Sequence, residues 1–94
     1  MDIEGTLFTD EGIFREDILA FAELLAMGDQ RPITIWTGGD MEAARKLVRG
    51  VKISYKLVSK HSLRGATVAI AIDDAPQEAF FKDYSISCGN YRKI

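Results

Sequence analysis

The order of apolar runs predicts an α/β fold: a mostly parallel, doubly wound sheet with flanking helices, formed by residues 1–94 as a single domain. Two observations carry this. Runs with strand character at 33–37, 51–57 and 67–72 alternate along the chain with stretches of helical periodicity. The run 67–72 is also almost continuously apolar, as a strand covered on both faces requires, and parallel sheets are covered on both faces.

Each element has its own signal. Residues 7–14, with Thr9-Asp10-Glu11-Gly12 in the middle, read as two short extended arms around a turn. Residues 15–27 read as a helix: Ile18, Phe21, Ala22 and Leu25 recur at helical spacing, Glu16 and Asp17 lie in the first turn, and Gly28 can end it. Pro32 opens the strand 33–37. Asp40 can cap a second helix with Met41, Ala44, Leu47 and Val48 on one face, stopping near Gly50. Val51, Ile53, Tyr55 and Leu57 alternate, which predicts a half-buried strand. After the run 67–72, residues 75–82 predict a short helix with Pro76 in its first turn, and 84–88 a last strand.

Composition narrows the function classes. A chain of 94 residues with 47% hydrophobic and 28% charged residues builds one small core and is not a disordered segment. Its formal net charge of −2 gives no general attraction to nucleic acid or to an anionic membrane. The local basic groups, Arg45-Lys46…Arg49…Lys52 and the tail Arg92-Lys93, read as solvated. Cys88 is the single cysteine, so no internal disulfide can form, which fits a reducing cytoplasm. No signal peptide or membrane-spanning run is present in these residues.

A set of polar residues falls at the carboxyl ends of the predicted strands, where α/β sheets bind ligands. Asp2 lies in Met1-Asp2-Ile3-Glu4-Gly5-Thr6-Leu7, Thr37 ends the strand 33–37, Lys60 precedes the turn Leu63-Arg64-Gly65, and Asp73-Asp74 ends the run 67–72. Together these can handle a phosphoryl group. A carboxylate attacks phosphorus, hydroxyl and ammonium groups hold phosphate oxygens, and further carboxylates hold Mg²⁺. Gly38-Gly39 leave backbone amides free to face an anion. Lys56 competes with Lys60 for the ammonium role; His61 reads as a solvated loop residue.

In this order and spacing the chain resembles the haloacid dehalogenase (HAD) superfamily of phosphohydrolases, from Asp2 to about Pro76. Asp2-Ile3-Glu4-Gly5-Thr6-Leu7 is similar to the first motif, Asp-x-Asp-Gly-Thr; Ile33 to Gly39 to the second; Lys60 to the third; and Ile70-Ala71-Ile72-Asp73-Asp74 to the fourth. The resemblance implies a Rossmann-like, HAD-like sheet and a Mg²⁺-dependent phosphatase that works through an aspartyl-phosphate. Asp2 would be the nucleophile and Glu4 the general acid/base, with Lys60 offsetting charge. Thr6, Thr37 and Gly38 would face the phosphate. Asp2, Glu4 (through its carbonyl), Asp73 and Asp74 would bind the metal. The family usually has Asp at the position of Glu4, and the extra methylene moves the carboxylate by about 1 Å. The enolase-phosphatase branch also carries Asp-x-Glu-Gly-Thr.

About thirty residues separate the first motif from Thr37, too few for a cap domain. Capless members act on large substrates such as phosphoproteins, or become small-molecule enzymes by forming homo-oligomers; the acidic charge disfavours nucleic acid. The resemblance further implies a central strand ahead of Asp2, between the strands that end in Thr37 and Asp73, whereas Met1 alone stands there. Strands lie about 4.8 Å apart, so an empty position leaves a gap of about 10 Å between two rows of unpaired backbone groups. A longer natural chain, a strand from a partner or from elsewhere in this chain, or a rearranged sheet would each resolve it. The other functional reading is a HAD-like domain that binds a partner or phosphate ligand without turnover. A phosphoacceptor receiver domain uses similar residues, but in the reverse order.

Overall fold

The structure, a computed structural model, describes residues 1–94, the side chain of Asp29 apart. Three helices and four strands alternate: α1 (Glu16–Asp29), β1 (Ile33–Thr37), α2 (Met41–Val48), β2 (Tyr55–Ser59), β3 (Thr67–Asp73), α3 (Gln77–Tyr84) and β4 (Ser87–Lys93), with a 3-10 turn at Lys60–Leu63. The α/β class is therefore as expected. The strands form two parallel pairs, β1 with β2 and β3 with β4.

The first three residues join the pairs. The Met1 amine donates to the Thr34 carbonyl (2.7 Å), Trp36 N–H to Met1 C=O (2.9 Å) and Ile3 N–H to Trp36 C=O (3.1 Å), while Asp2 N–H donates to Ile72 C=O (2.9 Å). Met1–Ile3 thus occupy, at its carboxyl end, the position between β1 and β3. Asp2 is held by backbone bonds from both sides and is 6% exposed.

Alternation along β1 and β3 feeds two cores. Ile35 and Ile72 pack with Ile18 and Ala22 of α1 and with Ala44 and Val48 of α2. Trp36 and Ala71 pack instead with Phe80 of α3 and with Ile86. Each large apolar side chain buried this way contributes about 1.5–3 kcal/mol. Among the described residues no helix is long and apolar enough to cross a membrane.

Several boundaries differ from expectation. Helix α1 runs through Gly28 and ends only at Gln30, which takes the left-handed conformation (φ 53°); the Arg31 amide then caps the Ala26 carbonyl. The alternation from Val51 is extended as strand only from Tyr55, because β1 offers partners no earlier than Ile33. Tyr84 ends α3 rather than opening a strand, and the last strand lies at 87–93. Its polar sequence, including Arg92 and Lys93, suits an exposed outer strand. Gly89 fits there because a Cβ would stand 3.2 Å from the Ala69 carbonyl of β3. The stretch 7–14 does form a small flap: Phe8 bridges Phe14 antiparallel, and Thr9 N–H donates to Ile13 C=O (2.8 Å).

Candidate functional site

Asp2, Thr37 and Asp73 converge at the carboxyl ends of the strands, as the sequence suggests. Among the described residues the buried polar ones are Asp2, Thr6, Thr37, Lys60 and Asp73, none more than 6% exposed. The clustering is what makes this burial tolerable: among the described residues no buried side-chain nitrogen or oxygen lacks a hydrogen bond.

Asp73 is the hub. Its Oδ2 accepts from Lys60 Nζ (2.9 Å) and from the Trp36 indole (3.2 Å), and its Oδ1 accepts from the Ala75 amide (3.0 Å). Burial alone would raise the Asp73 carboxyl, but the Ala75 amide and Lys60 outweigh it and hold the group below its usual value. Lys60 also lies over the ring of Tyr84, 4.3 Å from its centroid. Lys56 is exposed on β2, so the buried ammonium belongs to Lys60.

Asp2 has the opposite character. Thr6 Oγ1 donates to its Oδ2 at 3.3 Å. Burial, then the charge of Asp73, then Asp74 push its carboxyl from 3.8 up to about 8. The metal-free protein therefore holds a proton on Asp2 at neutral pH, and this has a consequence for stability. The folded state keeps the proton up to about pH 8 and the unfolded chain only to about pH 4. The Asp2 contribution is thus full below about pH 4 and lost as pH rises through 8. The buried Met1 amine, held well below its usual value, works the other way and gains stability as pH rises, so the Asp2 effect is read against Asp2→Asn: in EDTA, urea unfolding should show the wild type losing roughly 2–4 kcal/mol relative to that variant between pH 5 and 8. Asp73, being depressed, acts only below that window. A flat difference between the two proteins would contradict the raised Asp2.

One carboxylate oxygen each from Asp2, Asp73 and exposed Asp74 can lie within 4.8 Å of one another. Hard carboxylate oxygens at this spacing fit Mg²⁺, which takes oxygen ligands at about 2.1 Å. Glu4 is not in that group. It is exposed, and its carboxylate accepts from Thr37 Oγ1 at 2.9 and 3.1 Å; Thr37 Oγ1 in turn accepts from the Gly39 amide (3.0 Å). Gly38 lies against the Tyr84 hydroxyl, 3.0 Å from where its Cβ would be. His61 is exposed and packs by Tyr84, ring centroids 5.1 Å apart.

Gly5 is required twice over. Its φ is +79°, and a Cβ there would run into the Asp74 carboxylate. Gly5→Ala should displace Asp74 and weaken Mg²⁺ binding at least about tenfold by titration calorimetry, with a stability loss of about 1–2 kcal/mol. Unchanged metal affinity would separate Gly5 from the site.

Sequence reasoning missed Trp36, Tyr84 and Tyr91. An aromatic in an apolar run reads as core, and Trp36 is core, yet a buried indole N–H needs an acceptor and finds Asp73. Tyr91 donates to the Ala75 carbonyl, fixing the loop after Asp74; burial and the nearby Asp73 and Asp2 raise its hydroxyl far above the usual value.

Compared with protein-family models, with curated proteins and with solved structures, the chain finds no match.

Proposed function

We propose that this chain is a small, capless HAD-like domain on a doubly wound, Rossmann-like sheet, and a Mg²⁺-dependent phosphohydrolase acting through an aspartyl-phosphate in the cytoplasm. The observation that carries this reading is the meeting of three carboxylates, Asp2, Asp73 and Asp74, with a buried lysine ammonium. The substrate is a phosphoester of a small molecule or a phosphoprotein.

Asp2 Oδ attacks phosphorus as the bond to the leaving oxygen breaks. Glu4, two residues on and at the solvent edge, gives its proton to that oxygen. Glu4 then takes a proton from water, whose oxygen attacks phosphorus and releases phosphate from Asp2. Thr6, Thr37 and the Gly38 amide face the phosphoryl oxygens, the Gly39 amide being given to Thr37 Oγ1, and Lys60 keeps Asp73 charged. Asp2, Asp73 and Asp74 would hold Mg²⁺, whose charge would favour the ionised form of Asp2, its proton leaving to solvent, and would offset phosphoryl charge.

A second reading, ligand binding with weak or no turnover, draws on Glu4: its carboxylate occupies the Thr37 hydroxyl that would otherwise face phosphate. One experiment separates the two. A panel of phosphoesters is assayed with Mg²⁺ and with EDTA, beside a structure grown with Mg²⁺ and beryllofluoride. Metal-dependent phosphate release and density on Asp2 are expected. Metal binding without turnover or adduct would favour the second reading.

A further inference from the structure

Of the three tyrosines, two use their hydroxyls inside the protein. Tyr55 donates to the Val48 carbonyl (3.1 Å), and Tyr91 donates to the Ala75 carbonyl. Tyr84 is half-buried too, yet among the described residues none accepts from its hydroxyl.

The place of that hydroxyl is nevertheless fixed. Phe80 and Tyr84 stand four residues apart, on one face of α3. Phe80 is buried and packs its ring against Trp36 and Tyr91, which anchors the face. One turn on, the Tyr84 ring lies against Lys60 Nζ, 4.3 Å from its centroid, and beside the His61 ring at 5.1 Å. Left-handed Ser85 (φ 55°) then ends the helix. Held this way, the ring brings its oxygen to the turn after β1. A Cβ on Gly38 would stand 3.0 Å from Tyr84 Oη, closer than to any other atom. Gly38 does not take a left-handed conformation, so room for the hydroxyl, and not backbone geometry, is what asks for glycine there. Tyrosine commonly packs its ring and keeps its polar tip for a partner.

We propose that Tyr84 Oη donates a hydrogen bond to the phosphoryl group of the bound substrate, beside the Gly38 amide. This rests on the reading of the site as one that binds phosphate. The phenol is a neutral donor, so it adds a bond to the dianion without competing for the Asp73 carboxylate that Lys60 holds. If Tyr84 served only as a ring against Lys60, phenylalanine would do as well.

The test is calorimetric titration of the 94-residue chain with inorganic phosphate in Mg²⁺, beside Tyr84→Phe and Tyr55→Phe. Tyr84→Phe keeps the ring on Lys60 and should leave the urea midpoint unchanged, yet weaken phosphate binding about tenfold or more. Its KM for p-nitrophenyl phosphate should rise by a similar factor, more than its kcat falls. Tyr55→Phe should do the reverse: the Val48 carbonyl loses its donor and the urea midpoint drops, while phosphate affinity holds. Phosphate affinity that Tyr84→Phe leaves unchanged would overturn the proposal, and so would a wild-type chain that binds no phosphate. Turnover judges the phosphatase reading separately. Affinity lost in Tyr84→Phe, with no turnover by the wild type, would keep the hydroxyl in the site and remove the hydrolase.

Discussion

Asp2→Asn should lower phosphoester turnover at least about a thousandfold, because it removes the attacking oxygen rather than a group that assists it. The same variant should fold normally. In the metal-free protein Asp2 is already neutral below about pH 8, so an amide of the same shape replaces an uncharged acid. Thr6 can still donate to the side-chain oxygen, and the bond from the residue-2 amide to Ile72 is untouched. At pH 7 in EDTA it should therefore be more stable than the wild type by roughly 3–4 kcal/mol, because the wild type has to take up a proton at Asp2 on folding and the amide does not. The Asp2 contribution between pH 5 and 8 should disappear with the acid, leaving the opposite slope of the buried Met1 amine. Adding Mg²⁺ should stabilise the wild type more, since the variant keeps two of the three carboxylates. Phosphate release, urea unfolding and beryllofluoride density report these three effects separately. Turnover that persists in Asp2→Asn would rule out the aspartyl-phosphate route.

The site was easier to read in the sequence than the outer parts of the sheet, for a physical reason. Thr37 and Asp73 end apolar strands, and a strand covered on both faces announces itself by composition; Asp2 stood out through the run Asp2-Ile3-Glu4-Gly5-Thr6. Strand β4 carries Ser87, Gly89, Asn90, Arg92 and Lys93, and nothing in that run alternates. It is a strand because β3 offers it a parallel partner, and no local signal records a partner's position. The start of β2 failed for a related reason: periodicity continues back to Val51, but pairing begins where β1 does. Trp36 and Tyr91 act on the site through polar ring atoms while their rings serve the core, so their residue types pointed only to packing. That a strand position lies between β1 and β3, leading up to Asp2, could be inferred from the sequence. That Met1–Ile3 would close its upper end with bonds to both neighbours could not, because it depends on how far β1 and β3 are held apart.

Lys60→Met should be the most destabilising single change in the site. The residue is 5% exposed and its Nζ lies 2.9 Å from Asp73 Oδ2, with the Tyr84 ring on another side. Methionine keeps the length and apolar stem but leaves Asp73 buried, with only the Trp36 indole and Ala75 amide to hold its charge. Breaking a buried pair from one side costs about 3–5 kcal/mol. The sign with pH follows from the carboxyl left behind. Without Lys60, burial raises Asp73 in the folded state, so the deficit should shrink as pH falls toward 4 and Asp73 takes up a proton. The double variant Lys60→Met/Asp73→Asn should recover much of the lost stability at pH 7, since no unpaired charge remains, yet stay inactive. Turnover of Lys60→Met should fall by roughly 10²–10³. Lys56→Met, on the exposed side of β2, should change stability by less than about 0.5 kcal/mol and leave turnover alone. Urea unfolding across pH for the four proteins decides it: if Lys60→Met unfolds like Lys56→Met, the buried pair is not what keeps Asp73 ionised, and the electrostatic basis of the site has to be sought in the Ala75 amide instead.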